Sequence, residues 1–156
     1  MDQLLDQAKK SAFRLLKFRL RSGLEINQHL KKKGFTKQII NKTLTFLQEL
    51  GYIDDLKFAK VWVNYRLKLN PCSKNLLQHE LREKGIDPNF IKEALLVINA
   101  DAEFDIAREI AKKRLRQIKG LPVEVIARRL AGYLARRGYT QSLIVDLVKE
   151  LINDEK

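Results

Sequence analysis

The sequence predicts an all-α protein of three tandem three-helix repeats, helix-turn-helix-like in character and stacked into an extended, curved array. Three observations carry this. One pattern recurs three times at periods of 51 and 53 residues, each copy spaces its apolar residues as helices do, and no stretch alternates like a strand. The predicted repeats are residues 1–50, 51–99 and 100–156. A three-helix unit of this size buries its apolar faces poorly alone, so neighbours are expected to pack on one another.

The first helix of each copy is marked by Ala12, Leu15, Leu16 and Arg19, matched by Ala59, Trp62, Val63 and Arg66 and by Ala107, Ile110, Ala111 and Arg114. Trp62 and Tyr65 are expected in the core. The breaks that follow are Ser22 with Glu25, a capping box; the turn Asn70-Pro71-Cys72-Ser73; and Gly120-Leu121-Pro122, which ends one helix before another opens.

The strongest block begins inside the second helix. LKKKGFTKQIINKTL from Leu30, LREKGIDPNFIKEAL from Leu81 and LARRGYTQSLIVDLV from Leu134 superimpose without a gap. Each reads as a helix ending on basic residues, a glycine able to take positive φ (Gly34, Gly85, Gly138), an apolar anchor, and an N-cap for the third helix. Those caps are Thr36, Asp87 and Thr140, with Pro88 at a first helical position. The third helices carry matching stripes: Ile39, Ile40, Leu44, Leu47; Phe90, Ile91, Leu95, Ile98; and Leu143, Ile144, Val148, Leu151.

Composition narrows the function classes. The chain has 156 residues, 45% of them hydrophobic, which is enough apolar material to fold without staples and too little length for a large multidomain enzyme. Cys72 is the single cysteine and cannot form an internal bridge; it reads as a surface thiol in a proline turn. The longest apolar run, Ala94 to Ile98, is far too short to span a membrane, and Asp2 and Asp6 do not suit a secretory leader. A soluble, cytoplasmic and monomeric protein is expected.

Catalytic signatures are missing. His79-Glu80 begins like a zinc-protease motif, but Glu83 stands where its second histidine belongs, and the glycines form neither a GxxxxGK[ST] loop nor a GxGxxG turn. Asp54-Asp55 reads as an N-terminal cap of the second repeat's first helix. The expectation is a non-enzyme with no cofactor, no metal and no catalytic residue.

Charge is the informative bulk property. Lys and Arg number 31 against 19 Asp and Glu, a net +12, which favours a polyanionic partner such as nucleic acid or a nucleoprotein assembly. The first 50 residues hold +7 of it. Lys31, Lys32 and Lys33, then Arg82 and Lys84, then Arg136 and Arg137 occupy the same place in the three copies. Two explanations stay open: cations that complement a helix C-terminus, or a row of contacts to phosphate or carboxylate. Arg128, Arg129 and Arg136 project opposite the stripe of Val123, Ala127, Leu130 and Leu134. Arg19, Arg66 and Arg114 suit an internal ion pair or a partner contact. In the first repeat's third helix, Lys37, Gln38, Asn41, Lys42 and Gln48 could face DNA, which keeps a helix-turn-helix-like DNA-binding regulator as the alternative.

RLRSGLEINQHLKKKGF (Arg19–Phe35), GYIDDLKFAKVWVNYR (Gly51–Arg66) and ELREKGI (Glu80–Ile86) resemble the RecX family of bacterial recombinase regulators. The match spans nearly the whole chain, more loosely in the third copy. Where the family often carries a glycine turn after the arginine equivalent to Arg66, this chain has Asn70-Pro71-Cys72. The resemblance implies a protein that binds RecA and the RecA–DNA filament in the filament groove, blocks extension, and inhibits ATPase, strand exchange and co-protease activity. Its setting would be the regulation of homologous recombination, DNA repair and the SOS response. Nucleic acid alone would bind weakly and non-specifically.

Overall fold

In the computed structural model, which describes residues 1–156, the chain forms nine α-helices and no strand. They are α1 (Asp2–Leu16), α2 (Gly23–Lys32), α3 (Lys37–Glu49), α4 (Asp55–Leu69), α5 (Lys74–Glu83), α6 (Pro88–Ala94), α7 (Ala100–Gln117), α8 (Val123–Arg136) and α9 (Gln141–Asp154). No helix is long and apolar enough to cross a membrane.

Local chemistry sets the helix starts. Thr36 and Thr140 accept N–H bonds from Ile39 and Leu143, Asn99 caps α7 through Ala102 N–H, and Asp87 accepts from Asn89 N–H. Ser22 and Glu25 form the expected capping box on α2. Asp54 accepts from Lys57 N–H, as its position predicts, but Asp55 reaches back to the Gly23 N–H of α2 at 2.9 Å. Burial raises the Asp55 carboxyl pKa, and that N–H opposes the rise. A sequence sees Asp55 only as the neighbour of its own helix, so the long-range cap was invisible.

The chain divides into two compact units whose border runs through the second repeat. The first comprises residues 1–62 and 80–94, so it joins the first repeat to the start of α4, the end of α5, and α6. In it α1, α2 and α3 pack pairwise around Ala8, Ala12, Ile26, Leu30, Ile39, Ile40, Leu47 and Ile53. Trp62 is half-buried, stacked on Phe58 and donating to Glu80 through its indole N–H at 2.9 Å.

The second unit comprises residues 63–79 and 95–156. There α7, α8 and α9 close around Ala107, Ile110, Ala111, Leu115, Leu130, Leu134, Ile144, Leu147 and Leu151. Several expectations change. Tyr65 is 57% exposed, because its place on α4 faces away from the helix's buried Val63. Val123 is also exposed, at the open first turn of α8, where Ile126 packs instead. Cys72 is not a surface thiol but 3% exposed, with Arg66 Nη2 donating to its sulfur at 3.3 Å. In the second repeat the third helix stops at Ala94 and continues as a 3₁₀ turn, Leu95–Val97, and Phe90 is exposed.

Tyr139, the anchor of the third turn, is buried with a hydroxyl that has no hydrogen-bond partner, and burial raises its pKa. Tyr139→Phe should therefore leave stability unchanged or raise it by up to about 1 kcal/mol, since an unmet polar group is removed without losing a bond. Thermal unfolding of the two proteins measures this.

Candidate interaction surface

The recurring basic residues sit where helix geometry puts them, at the ends of the second helix of each repeat. In all three, the chain leaves the helix through a glycine with positive φ: 89° at Gly34, 76° at Gly85 and 86° at Gly138. The apolar anchor then hands its N–H back to the helix: Phe35 to Leu30 O, Ile86 to Leu81 O and Tyr139 to Leu134 O. The cations of the three turns differ in what they touch.

Two of them are used inside the fold. Lys84 lies 2.9 Å from Glu25 Oε1 and sits over the Trp62 ring at 5.2 Å. Glu25 also takes Arg19 at 2.7 Å and the Ser22 N–H. Burial alone would raise the Glu25 carboxyl, but the bonds from Arg19, Lys84 and Ser22 outweigh it and bring the pKa down to about 2. Arg137 donates to Asn70 Oδ1 and Pro71 O and lies over the Tyr133 ring at 4.6 Å. These side chains are structural as they stand.

Of the nine candidate cations, Arg128 and Arg129 included, the other seven are exposed and outside every ion pair: Lys31, Lys32 and Lys33 on the end of α2, Arg82 on α5, and Arg128, Arg129 and Arg136 on α8. Lys31 and Lys32 border a cleft of about 690 Å³ with Leu15, Arg21, Glu25, Gln28 and His29. His29, bonded to Ser11 at 2.9 Å, has its pKa lowered by burial first and by Lys33 and Arg21 next, which shows how positive this corner is. Lys31 also borders a second cleft of about 380 Å³ with Phe35, Lys37, Ile40 and Asn41.

In the second unit, Arg136 and Arg137 line a cleft of about 310 Å³ together with Arg66, Asn70, Cys72, Leu76 and Tyr133. Arg128 and Arg129 do not join that lining. Of the recurring trio at the end of the first helix, Arg19 pairs with Glu25, Arg66 donates to Asn70 O and Cys72, and Arg114 donates to Gln117. Arg21 is the member of the first cleft that sequence reasoning missed. Its only signal was proximity to the Arg19 block.

Tandem three-helix units that present exposed cations around glycine turns define a helical-repeat protein. The comparisons with known proteins carry that to a family. The family models of the first, second and third three-helix domains of RecX match residues 8–47, 54–95 and 101–148. The regulatory protein RecX of Amycolatopsis mediterranei is 34% identical over 148 residues, covering 95% of this chain and 85% of the relative. That of Mycolicibacterium smegmatis is 38% identical over 156 residues, covering 97% and 83%. The crystal structure of RecX from Lactobacillus salivarius shares the fold with a TM-score of 0.82 at 18% identity, over 97% of this chain and 98% of that one. The chain belongs to the RecX family of regulatory proteins.

Proposed function

We propose that this protein binds the RecA recombinase on its DNA filament, occupies the filament groove and blocks addition of the next subunit. ATPase, strand exchange and co-protease activity fall as a result. The observation that carries this reading, beside the family, is the set of exposed cations outside any ion pair: Lys31, Lys32, Lys33, Arg82, Arg128, Arg129 and Arg136. Cations that only complemented their own helix ends would not need to lie in the middle of α8, where Arg128 and Arg129 stand well before the C-terminus. A filament is a long polyanion of repeating subunits, which suits a repeat protein of net charge +12.

The test is recombinase ATPase on single-stranded DNA, titrated with this protein at two salt concentrations. Inhibition should weaken as salt rises. Charge reversal at Lys31, Lys32 and Lys33 together should raise the concentration for half inhibition about tenfold, the scale expected of several partly exposed charge contacts. If the folded triple variant inhibits as the parent does, those lysines are helix-end cations only.

The exposed Lys37, Gln38, Asn41, Lys42 and Gln48 of α3 support a second reading, direct binding of duplex DNA. A sequence-specific regulator would prefer one duplex over others. A filament binder should hold naked duplex weakly and without preference, losing about 0.9 log unit of affinity per phosphate contact for each decade of salt.

A further inference from the structure

Two of the three glycine turns already serve as sockets for a helix start. In the first unit, the Lys84–Gly85 turn receives the beginning of α2. Ser22 Oγ donates to Lys84 O at 2.7 Å, Glu25 pairs with Lys84 Nζ, and Leu24 covers Gly85 so closely that a Cβ there would stand 2.6 Å from it. In the second unit, the Arg137–Gly138 turn receives the beginning of α5. Arg137 O accepts the Ser73 N–H at 2.9 Å, and a Cβ on Gly138 would fall 2.5 Å from Ser73 Oγ and 2.8 Å from Leu76 Cβ.

The remaining turn, Lys33–Gly34 of the first copy, has the same left-handed glycine, yet nothing lies within 4 Å of where its Cβ would stand. Lys33 holds the place that Lys84 holds in the first unit, and it is exposed without an ion pair. Clefts open beside it along Lys31 and Lys32. Positive φ favours glycine at all three turns; at Gly85 and Gly138 a helix start also packs against the bare Cα, and at Gly34 the same face is uncovered.

We infer that the Lys33–Gly34 turn is a docking socket for a capped helix start on a partner protein. The element it fits has the form Ser-x-x-Glu with an apolar residue in its first turn. The serine reaches Lys33 O as Ser22 reaches Lys84 O, the glutamate pairs with Lys33, and the apolar side chain covers Gly34. This rests on the recombinase-binding reading and places that helix start on a recombinase subunit. A second copy of this chain has no spare Ser-x-x-Glu start to offer. Its one capping box, Ser22 and Glu25, is already engaged at Lys84, and α8 starts behind Pro122 with no side-chain cap.

The experiment compares the parent protein with Gly34→Asn and Gly51→Asn. Asparagine tolerates positive φ better than other non-glycine residues. Gly51 also has positive φ (77°) and open space around it, but lies outside the recurring turn, so it controls for backbone strain. Gly34→Asn should raise the concentration for half inhibition of recombinase ATPase about tenfold or more, since its side chain would collide with an incoming helix, while Gly51→Asn changes it less than about twofold. If Gly34→Asn inhibits like the parent, the socket is overturned and filament binding stands. If the parent itself neither binds nor inhibits, both readings fall. Amide hydrogen exchange on the unmodified protein covers a variant that fails to fold: amides 33–37 should gain protection on the filament, and no gain overturns the socket. A dimer of the parent by sedimentation, abolished in Gly34→Asn, would assign the turn to a second copy and overturn it equally.

Discussion

Gly85→Ala should destabilise the first unit by about 3–4 kcal/mol, whereas the identical change at Gly34 should cost only about 1 kcal/mol. Both residues have positive φ, so both substitutions carry the backbone penalty of a left-handed L-residue. The difference is what a Cβ meets. At Gly85 it would stand 2.6 Å from Leu24 Cβ, an atom fixed to the α2 backbone that cannot swing aside, and at Gly34 it would meet nothing within 4 Å. Overpacking of that kind adds its own 1–3 kcal/mol. Urea denaturation measures the totals, and amide exchange locates them. Gly85→Ala should loosen Ile26, Leu30 and their neighbours, while Gly138→Ala, which meets Ser73 and Leu76, should loosen the α7–α9 core. Equal costs at Gly34 and Gly85 would show that the turn conformation alone selects glycine.

Glu25→Gln should cost about 2–3 kcal/mol at neutral pH and close to nothing near pH 2. Glu25 is the hub of the first unit's junction: its side chain is 13% exposed and takes Arg19, Lys84 and the Ser22 N–H. Its folded pKa lies at about 2 against an ordinary 4.5. A carboxyl lowered on folding stabilises the native state above its unfolded pKa, and that contribution disappears as pH falls from about 4.5 to about 2. The full linkage corresponds to roughly 3 kcal/mol, and the amide, which still accepts one bond, keeps part of it. Stability of parent and variant measured from pH 7 to pH 2 should therefore converge over that window. A gap that persists unchanged at pH 2 would mean that shape, not charge, makes the junction.

The helices and their caps were legible because they are local. Thr36, Asp87, Thr140 and the Ser22–Glu25 box act over two to four residues, and the sequence displays both partners side by side. The candidate site was legible only in part. Lys31, Lys32, Lys33, Arg82, Arg128, Arg129 and Arg136 are exposed as their helix ends and faces predict, but nothing in LREKGI distinguishes Lys84 from Lys33. What distinguishes them is Glu25, 59 residues away from Lys84, and Asn70, 67 residues from Arg137, accounts for the third copy in the same way. Cys72 and Tyr65 were misplaced for a related reason. Burial depends on which neighbours close over a residue, and a proline turn or an aromatic on a helix does not say.

The amino-acid sequence by itself determined the three-fold repetition, the helical class, the glycine turns with their caps, and the RecX family, because each is written in spacings shorter than one repeat or in recurrence between repeats. Only the tertiary structure decided that the compact units cut across the second repeat, that two of the three basic turns are filled by helix starts, and that the Gly34 turn stands open. The physical reason is range. Backbone conformation follows from neighbours along the chain, whereas whether a cation or a bare Cα faces solvent depends on which distant segment packs against it.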